Sequence, residues 1–364
     1  MEYRSLPKGG EQIGTIGMGL ANLYEFPDDQ IREAISCAVA RGVNYYDAVC
    51  GDIRTYRIFG ECIRGRREAL HMQLHLGACY ENETYVFSRN LDQIRRSVDQ
   101  VLTAVGTSYA DFGFIHCIDE APDFEDVVQN GLLDLARSLK RQGVIRHLGF
   151  STHTPSIARR FLELDEIDLF IFSVNPAYDR QRGELAHGAP DERAELYRLA
   201  LQKQVGISVM KPFSGGLLLD ERRSPLGIRL SPFQCLQYAL DRPAVLTCLP
   251  GCVTKEEVEA VLRFYDAPAA ERDYSVLADA APHAAAGRCV YCNHCAPCPA
   301  GIDVGLVNKY YDLARAGDAL AASHYRKLET GADACIQCGH CDARCPFHVA
   351  QRDRMREIAA YFAS

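Results

Sequence analysis

The chain has 364 residues, of which 48% are hydrophobic and 24% are charged, and its formal net charge is −8 at pH 7. This balance is typical of a folded globular protein and excludes a disordered or low-complexity scaffold. The negative charge and the lack of a long basic run argue against a nucleic-acid partner. No apolar run approaches the roughly 18 residues of a membrane span, and the N-terminus lacks an apolar signal segment. We therefore expect a cytoplasmic protein with no membrane partner, divided into two domains at a prior of about 150 residues each.

Short apolar segments and amphipathic segments alternate along the first 265 residues. The apolar segments predict strands at 14–19, 43–48, 70–77, 111–116, 145–150, 168–173, 206–211 and 245–250. The amphipathic segments predict helices at 29–42, 56–67, 88–106, 125–143, 156–165, 192–204 and 255–265. This alternation predicts an α/β fold with a parallel sheet, and closing it gives a TIM (β/α)8 barrel of the usual size, about 250 residues. A doubly wound open sheet is the alternative, but no G-x-G-x-x-G follows the first strand.

Polar residues stand where these predicted strands end. In a TIM barrel the chemistry takes place at the C-terminal ends of the strands, so these residues are the candidates for function. They are Asp47, Cys50, His75, His116, Ser151, Asn175 and Lys211.

The C-terminal third contains two cysteine runs. The chain has 16 cysteines, and eight of them form Cys289-x2-Cys292-x2-Cys295-x2-Cys298-Pro and Cys335-x2-Cys338-x2-Cys341-x3-Cys345-Pro. A disulfide scaffold has no reason to keep this spacing, and zinc needs only C-x-x-C pairs and is the alternative. The second run matches the bacterial ferredoxin pattern, in which three cysteines hold one 4Fe–4S cluster and the Cys-Pro cysteine serves the other. This rule predicts two clusters, one on Cys289, Cys292, Cys295 and Cys345, the other on Cys335, Cys338, Cys341 and Cys298.

These patterns divide the chain into three parts. Residues 1–265 form the barrel, and the Ala- and Pro-rich stretch 266–286 is a linker. Residues 287–364 form a small domain, and the segment between the cysteine runs has helical periodicity. We therefore expect a mostly helical ferredoxin-like domain after the barrel.

Several motifs, taken in their order along the chain, resemble those of a known family. They are GVNYYDA, FGFIHCIDE, LGFSTHTP, MKPFSGGLL and LPG, followed by CAPCPAGID and CIQCGHCDARCPFHV. From about residue 16 to residue 349 the chain resembles the aldo-keto reductases, specifically the bacterial branch with a C-terminal ferredoxin-like domain. The resemblance implies a TIM barrel, a nicotinamide cofactor that transfers hydride, and four catalytic residues at the barrel mouth, namely Asp, Tyr, Lys and His.

Two of these four residues match and two do not. Asp47 and His116 stand in the places of the family's Asp and His. The Tyr position is filled by Cys50, in a segment two residues shorter than the family pattern, and the Lys position is filled by His75. Cys50 is either a small apolar filler or a catalytic thiol. His75 is either a core histidine or an acid, base or ligand at the mouth.

Three kinds of chemistry are open to this set. A thiol beside an imidazole could act as nucleophile or proton donor. Cysteine, histidine and aspartate together could bind a metal or hold a substrate beside a cluster. The site could also reduce a carbonyl or an activated double bond with another proton donor, for which Tyr45, Tyr46 and Tyr56 are candidates.

The resemblance also implies a nicotinamide site. Its phosphate loop corresponds to Lys211, Ser214, Gly215 and Gly216, and a second part corresponds to Gly251 and Thr254. Ser151 and Asn175, at two strand ends, complete the cofactor set. The alternative is that the glycine pair only turns the chain, and the sequence does not distinguish NAD from NADP.

We therefore expect an iron–sulfur oxidoreductase that reduces a small organic substrate at the barrel mouth. Asp47 and His116 would polarise the substrate, and Cys50 and His75 are candidates for the proton or covalent step. One alternative is a nicotinamide-independent enzyme fed through its clusters, with a flavin left open, and another is a non-catalytic electron-transfer subunit. A ferredoxin-type protein or a flavoprotein is the candidate redox partner.

Overall fold

The fold was analysed in a computed structural model, which describes residues 1–183, 185–280, 287, 289, 291–315 and 319–363. The strands in chain order are β1 (Tyr3–Ser5), β2 (Gln12–Gly14), β3 (Met18–Gly19), β4 (Tyr45–Ala48), β5 (His71–Leu76), β6 (Ala78–Glu81), β7 (Thr84–Phe87), β8 (Ala110–Ile115), β9 (Ile145–Thr152), β10 (Ile167–Ser173), β11 (Gly206–Met210) and β12 (Val245–Leu249).

Eight of these strands form a parallel barrel. Their order in the sheet is β12-β11-β10-β9-β8-β5-β4-β3, with every neighbouring pair parallel. A parallel bridge between Ile16 and Cys248 joins the two edges, where Gly17 N donates to Cys248 O at 2.9 Å. The TIM barrel predicted from the sequence is therefore confirmed. Two antiparallel hairpins, β1–β2 and β6–β7, are additions to it.

The helices of the barrel region cover the outside of the sheet. They are α1 (Asp28–Ala40), α2 (Ile53–Cys62), α3 (Leu91–Val105), α4 (Ala121–Gln129), α5 (Leu132–Arg141), α6 (Pro155–Leu162), α7 (Pro190–Gln202), α8 (Pro232–Leu240) and α9 (Lys255–Leu262). Two short helices, α10 (Ala269–Arg272) and α11 (Leu277–Ala280), follow them. The single helix predicted at 125–143 is wrong, because Gly131 adopts φ 87° and separates α4 from α5. Helix α8, which begins at a capping box of Ser231 and Gln234, was not predicted.

Alternation along the strands decides which side chains fill the barrel. Tyr45, Phe112 and Phe114 point into the interior, where Leu6 and Ile13 of the N-terminal hairpin pack with them. The residues between them point outward toward the helices, in agreement with the two-residue period of a strand. The barrel interior is thus a packed core at one end, and polar side chains are left for the other end.

The C-terminal region is helical, as predicted. Its helices are α12 (Val304–Arg315), α13 (Ala319–Tyr325), α14 (His340–Arg344) and α15 (Gln351–Ala363). They share a small core in which Val307 and Ile358 are fully buried. No helix among the residues described by the structure has both the length and the apolar character needed to cross a membrane.

The predicted linker 266–286 is only partly described, since residues 281–286 lie outside the described part of the chain. Within the described part, helices α10 and α11 flank Tyr274, and Tyr274 and Leu277 are buried against Tyr238 and Phe347. This apolar cluster connects the barrel to the segment that carries Cys345. The domain boundaries at 265 and 287 stay a prediction.

Candidate active site

Three of the predicted catalytic residues meet at the C-terminal end of the barrel strands. Asp47 lies on β4, His75 on β5, and His116 directly follows β8. His75 Nε2 lies 2.8 Å from Asp47 Oδ1, and His75 Nδ1 lies 2.9 Å from His116 Nδ1. All three side chains come from neighbouring strands of one sheet, which is why strand-end reasoning could place them together.

A tyrosine that sequence reasoning missed extends this group toward the surface. The Tyr85 hydroxyl lies 3.0 Å from His116 Nε2, and its ring packs edge-on against the His116 ring. Tyr85 lies on β7, in the hairpin that follows the third barrel strand. It stands outside the family motifs in the sequence, and only the folded hairpin brings it to the mouth.

One set of neutral tautomers satisfies the contacts between Asp47, His75, His116 and Tyr85. The Asp47 carboxylate can only accept, so in this set His75 donates from Nε2 and accepts at Nδ1 from His116 Nδ1. His116 Nε2 then accepts from the Tyr85 hydroxyl. Burial lowers the pKa of His116 well below its ordinary value, which keeps its ring neutral and Nε2 free to accept. In this set of tautomers, every hydrogen bond from Tyr85 to Asp47 points in the same direction.

Asp47 is also supported from inside the barrel. Gln73 Nε2 donates to Asp47 Oδ1 at 2.8 Å, and the Tyr45 hydroxyl donates to Gln73 Oε1. His75 Nε2 lies at the same distance from Asp47 Oδ1, so the amide and the imidazole share this oxygen as their acceptor when the His75 proton is on Nε2. Gln73 and Tyr45 are fully buried, and they hold the carboxylate from below. Tyr45 therefore does not reach the mouth in place of a catalytic tyrosine.

Cys50 lies apart from this chain. It is 3% exposed, and the Tyr80 hydroxyl donates to its carbonyl oxygen at 3.0 Å. The Tyr56 hydroxyl lies 2.7 Å from that of Tyr80 and donates to Ala48 O. Burial raises the pKa of the Cys50 thiol well above its ordinary value, so it is protonated at neutral pH. These surroundings favour the interpretation of Cys50 as an apolar filler over that of a catalytic thiol.

Replacing Cys50 by alanine is therefore expected to leave turnover within about 3-fold of the wild type, because a buried, protonated thiol is a poor nucleophile. The small cavity is expected to lower the free energy of unfolding by about 1 kcal/mol. The measurements are kcat and the urea midpoint of both proteins. A loss of turnover by a factor of about 100 with an unchanged urea midpoint would restore the thiol hypothesis.

Two of the predicted cofactor residues, Ser151 and Asn175, already form hydrogen bonds with loop backbone. Ser151 Oγ accepts from Cys117 N at 2.6 Å. The Asn175 amide donates to Lys211 O and accepts from Tyr178 N, both at 2.9 Å. Both side chains are buried and hold loop backbone. The amide of Asn175 is thus already engaged at both ends.

The glycine loop after β11 has the features of an anion site. Gly215 and Gly216 adopt φ 66° and 85°, and a Cβ on either would meet open space. Within the described residues, the neighbouring Ser214 Oγ is buried and has no hydrogen-bond partner. Two open glycines beside an orphaned hydroxyl fit a ligand phosphate.

The second part of the predicted cofactor site fits less well. Thr254 Oγ1 caps helix α9 by accepting from Glu257 N at 3.2 Å. Glu257 Oε2 accepts from Val253 N and Thr254 N at 2.8 and 3.3 Å. The chain's own carboxylate therefore occupies this helix N-terminus, where a phosphate would otherwise bind. A Cβ on neighbouring Gly251 would meet open space.

One group of four predicted cluster cysteines lines a single cavity. The cavity brings both cysteine runs together: its thiols are those of Cys298, Cys335, Cys338 and Cys341. Cys338 is exposed, and neighbouring Ile336 is 65% exposed. A cavity ringed by four thiols fits a 4Fe–4S cluster, and this one, the distal site, is open to solvent.

The other four predicted cluster cysteines define the proximal site. Three of them, Cys289, Cys292 and Cys345, pack against the apolar cluster that contains barrel residues, and Cys295 is buried in the core of the C-terminal helices. Burial, together with the nearby thiols of Cys289, Cys292 and Cys345, raises the pKa of Cys295 to about 12. The sites share a backbone feature: the residues on either side of the middle cysteine, Cys292 or Cys338, have positive φ. These residues are Tyr291, Asn293, Gln337 and Gly339. Such turns let successive backbone N–H groups face one concavity, as in many iron–sulfur sites.

Comparison with known proteins agrees with this architecture. The model of the aldo/keto reductase family matches residues 13–229. The chain belongs to the aldo/keto reductase family. A 4Fe-4S dicluster domain model matches residues 285–349 of the same chain. This aldo/keto reductase is thus an oxidoreductase that carries a C-terminal 4Fe–4S domain.

Its relatives are distant. An uncharacterized oxidoreductase of Bacillus subtilis (strain 168), YqkF, is 23% identical over 227 residues, which cover 61% of this chain and 68% of the relative. The holo form of aldo-keto reductase AKR11C1 from Bacillus halodurans superposes with a TM-score of 0.64 at 22% identity and covers 77% of this chain and 97% of its own. An aldo/keto reductase from Klebsiella pneumoniae in complex with NADP and acetate gives a TM-score of 0.54 at 16% identity, with 78% and 96% covered. At these identities the solved structures establish the fold alone.

Proposed function

We propose that this aldo/keto reductase reduces a carbonyl or an activated double bond of a small organic substrate at the barrel mouth, with Tyr85 as the proton donor. The observation that carries the proposal is the unbroken hydrogen-bonded chain from Tyr85 through His116 and His75 to Asp47. By the resemblance, Cys50 and His75 fill the positions of the family's tyrosine and lysine. Tyr85 would supply the phenol in their place, with His116 as its hydrogen-bond partner.

The chain can carry a proton in either direction. In the oxidative direction a substrate hydroxyl gives its proton to Tyr85 as Tyr85 passes its own to His116 Nε2. His116 then passes the Nδ1 proton to His75, and His75 passes the Nε2 proton to Asp47. In the reductive direction the same steps run backward, and Tyr85 protonates the substrate oxygen or carbon. Gln73 donates to Asp47 and keeps its carboxylate aimed at His75 throughout.

The residues that would hold a nicotinamide follow strand β11, at the same end of the barrel as Asp47, His75 and His116. A bound nicotinamide supplies hydride, whereas iron–sulfur clusters supply single electrons. Ser214, Gly215 and Gly216 would hold the phosphates, with Lys211 as a nearby cation. This assignment is supported by the open space over the two glycines and the unpaired Ser214 hydroxyl among the described residues.

A second candidate is that electrons reach the mouth from the clusters without a nicotinamide. Two observations favour it. The first is that the Glu257 carboxylate accepts the N–H groups of Val253 and Thr254, where a cofactor phosphate would otherwise bind. The other is that Cys289, Cys292 and Cys345 pack in the apolar cluster that contains Leu218 and Phe213, residues of the glycine loop. One apolar cluster thus connects the proximal site with the glycine loop, whereas the distal site faces solvent and suits entry of electrons from a ferredoxin-type partner.

An anaerobic titration of the cluster-loaded protein with NADPH and then NADH separates the two candidates. Calorimetry would report cofactor binding, and visible absorbance would report cluster reduction. Saturable binding and cofactor-dependent reduction of a panel of small aldehydes and ketones support the hydride reaction. If neither cofactor binds while chemically reduced clusters still drive substrate reduction, the second candidate is correct.

Replacing Tyr85 by phenylalanine tests the proton donor itself. Loss of the hydroxyl is expected to lower kcat by about 100-fold with little change in KM, because general acid catalysis contributes about 10²- to 10⁴-fold. Tyr3→Phe is the matched control, since Tyr3 lies 47% exposed on β1 of the other hairpin. Equal kcat values for Tyr85→Phe, Tyr3→Phe and wild type would show that Tyr85 does not donate the proton.

A further inference from the structure

Beside the proton chain lies a second group of ligand-type side chains that the proposed function does not use. Cys117 and Asp119 follow β8, and His153 follows the neighbouring strand β9. A sulfur, a carboxylate oxygen and a ring nitrogen from these residues all lie within 4.8 Å of one another. All three residues are half-buried, so the group is both shielded and reachable from the mouth.

The contacts converge on one oxygen. His153 Nδ1 lies 3.0 Å and Cys117 Sγ lies 3.8 Å from Asp119 Oδ2. A tetrahedral zinc ion with ordinary bond lengths sets its nitrogen and oxygen ligands about 3.4 Å apart and its sulfur and oxygen ligands about 3.6 Å apart. Both observed distances lie within a few tenths of an ångström of these values, and the sulfur and the nitrogen lie within 4.8 Å of each other.

The backbone holds these side chains in place. Cys117 adopts φ 49°, a left-handed conformation that disfavours residues with a Cβ and occurs preferentially at functional sites. Its N–H donates to Ser151 Oγ at 2.6 Å. On the other side, Asp119 Oδ1 accepts from His153 N and Thr152 Oγ1 at 2.6 and 3.0 Å. The second carboxylate oxygen, Oδ2, therefore faces Cys117 and His153.

We infer that Cys117, Asp119 and His153 form a binding site for a borderline-soft divalent cation of the zinc type. One thiolate, one imidazole and one carboxylate suit zinc. Three protein ligands leave a fourth position open, as in catalytic zinc sites, where the ion can polarise a substrate oxygen. This inference is independent of the proposed proton donor and of the iron–sulfur clusters.

A hydrogen bond between Lys211 and His153 must break before a metal ion can occupy the site. Its Nζ lies 3.3 Å from His153 Nε2 and donates to it when Nδ1 carries the proton. Binding through Nδ1 moves the imidazole proton to Nε2 and displaces the Lys211 hydrogen bond, while the Cys117 thiol releases its proton. The free energy gained from the metal–ligand bonds must exceed the free energy lost with the Lys211 hydrogen bond and with deprotonation of Cys117.

The test uses the full chain with its clusters loaded under anaerobic conditions, stripped of loose metal by a chelator and equilibrated with Zn²⁺. We expect a single zinc ion per chain, and zinc K-edge X-ray absorption should show one sulfur and otherwise nitrogen and oxygen ligands. Zinc without a sulfur ligand, zinc with four sulfur ligands, or no retained zinc would each overturn the inference. The spectrum of the wild-type protein decides this without any variant.

Variants then assign the ligands. Cys117→Ser and His153→Gln are expected to weaken zinc binding by more than about 10-fold. Cys37→Ser is the matched control, because Cys37 is also half-buried and its thiol lies 3.9 Å from the Glu259 carboxylate without a histidine beside them. Its affinity for zinc should equal that of the wild type. Equal affinity in all three variants would overturn the site, provided that iron content confirms intact clusters.

Discussion

Replacing His75 by glutamine is expected to lower turnover by about 10³-fold, within the range for loss of a general acid–base group. His75 is the only group among the described contacts that bonds to both Asp47 and His116. A glutamine amide can accept or donate hydrogen bonds in this place, but it cannot pass a proton from one ring to the carboxylate. The substitution therefore interrupts the hydrogen-bonded path between His116 and Asp47 while filling most of the volume of the imidazole ring.

His71→Gln is the matched control for this experiment. His71 lies on the same strand, β5, four residues earlier, and so near the opposite end of the barrel. Turnover of His71→Gln should match the wild type, with both variants retaining their clusters and a cooperative unfolding transition. If His75→Gln turned over at the rate of His71→Gln, the proton path would not run through β5, and the chain of contacts would have only a packing role.

Replacing Cys298 by serine is expected to remove about half of the iron, because one of two 4Fe–4S clusters loses a thiolate ligand. Cys298 belongs to the first cysteine run, yet it lines the cavity formed by Cys335, Cys338 and Cys341 of the second. The single variant gives this result whether the ligand assignment is crossed or run by run, and the two assignments differ only when two cysteines are replaced. Iron and acid-labile sulfide after anaerobic reconstitution are the measurements.

Double variants make that difference visible. Cys298→Ser with Cys335→Ser should retain about half of the iron, since both changes damage the same cluster. Cys298→Ser with Cys292→Ser should lose nearly all of it, because each change damages a different one. The reverse pattern would show that each run holds its own cluster and that the arrangement of Cys298 around the distal cavity is unrelated to ligation.

Sequence periodicity was sufficient for the barrel. Each predicted strand overlaps an observed one, because strands buried on both faces read as continuous apolar runs between helices. The pattern failed where local backbone decides, as at Gly131, whose left-handed conformation splits one amphipathic run into α4 and α5. The hairpin β6–β7 was also missed, since its four-residue strands carry no long apolar run.

The candidate site was predictable only in part. Asp47, His75 and His116 could be placed together because parallel strands bring their ends to one edge. Cys50 was a candidate because it fills the family's tyrosine position, whereas its burial among Tyr56 and Tyr80 cannot be read from the sequence. Tyr85 comes from an added hairpin, and contacts between an addition and a barrel strand leave no periodic signal in the sequence.

The hairpin that carries Tyr85 is joined to the shortened segment after β4. Tyr85 N donates to Gly51 O at 2.9 Å, Ile53 N donates to Glu83 O at 3.0 Å, and Asp52 bridges Thr84. A change in the length of this segment therefore acts directly on the hairpin. The position of Tyr85 beside His116 thus depends on a loop that belongs to a different strand of the barrel.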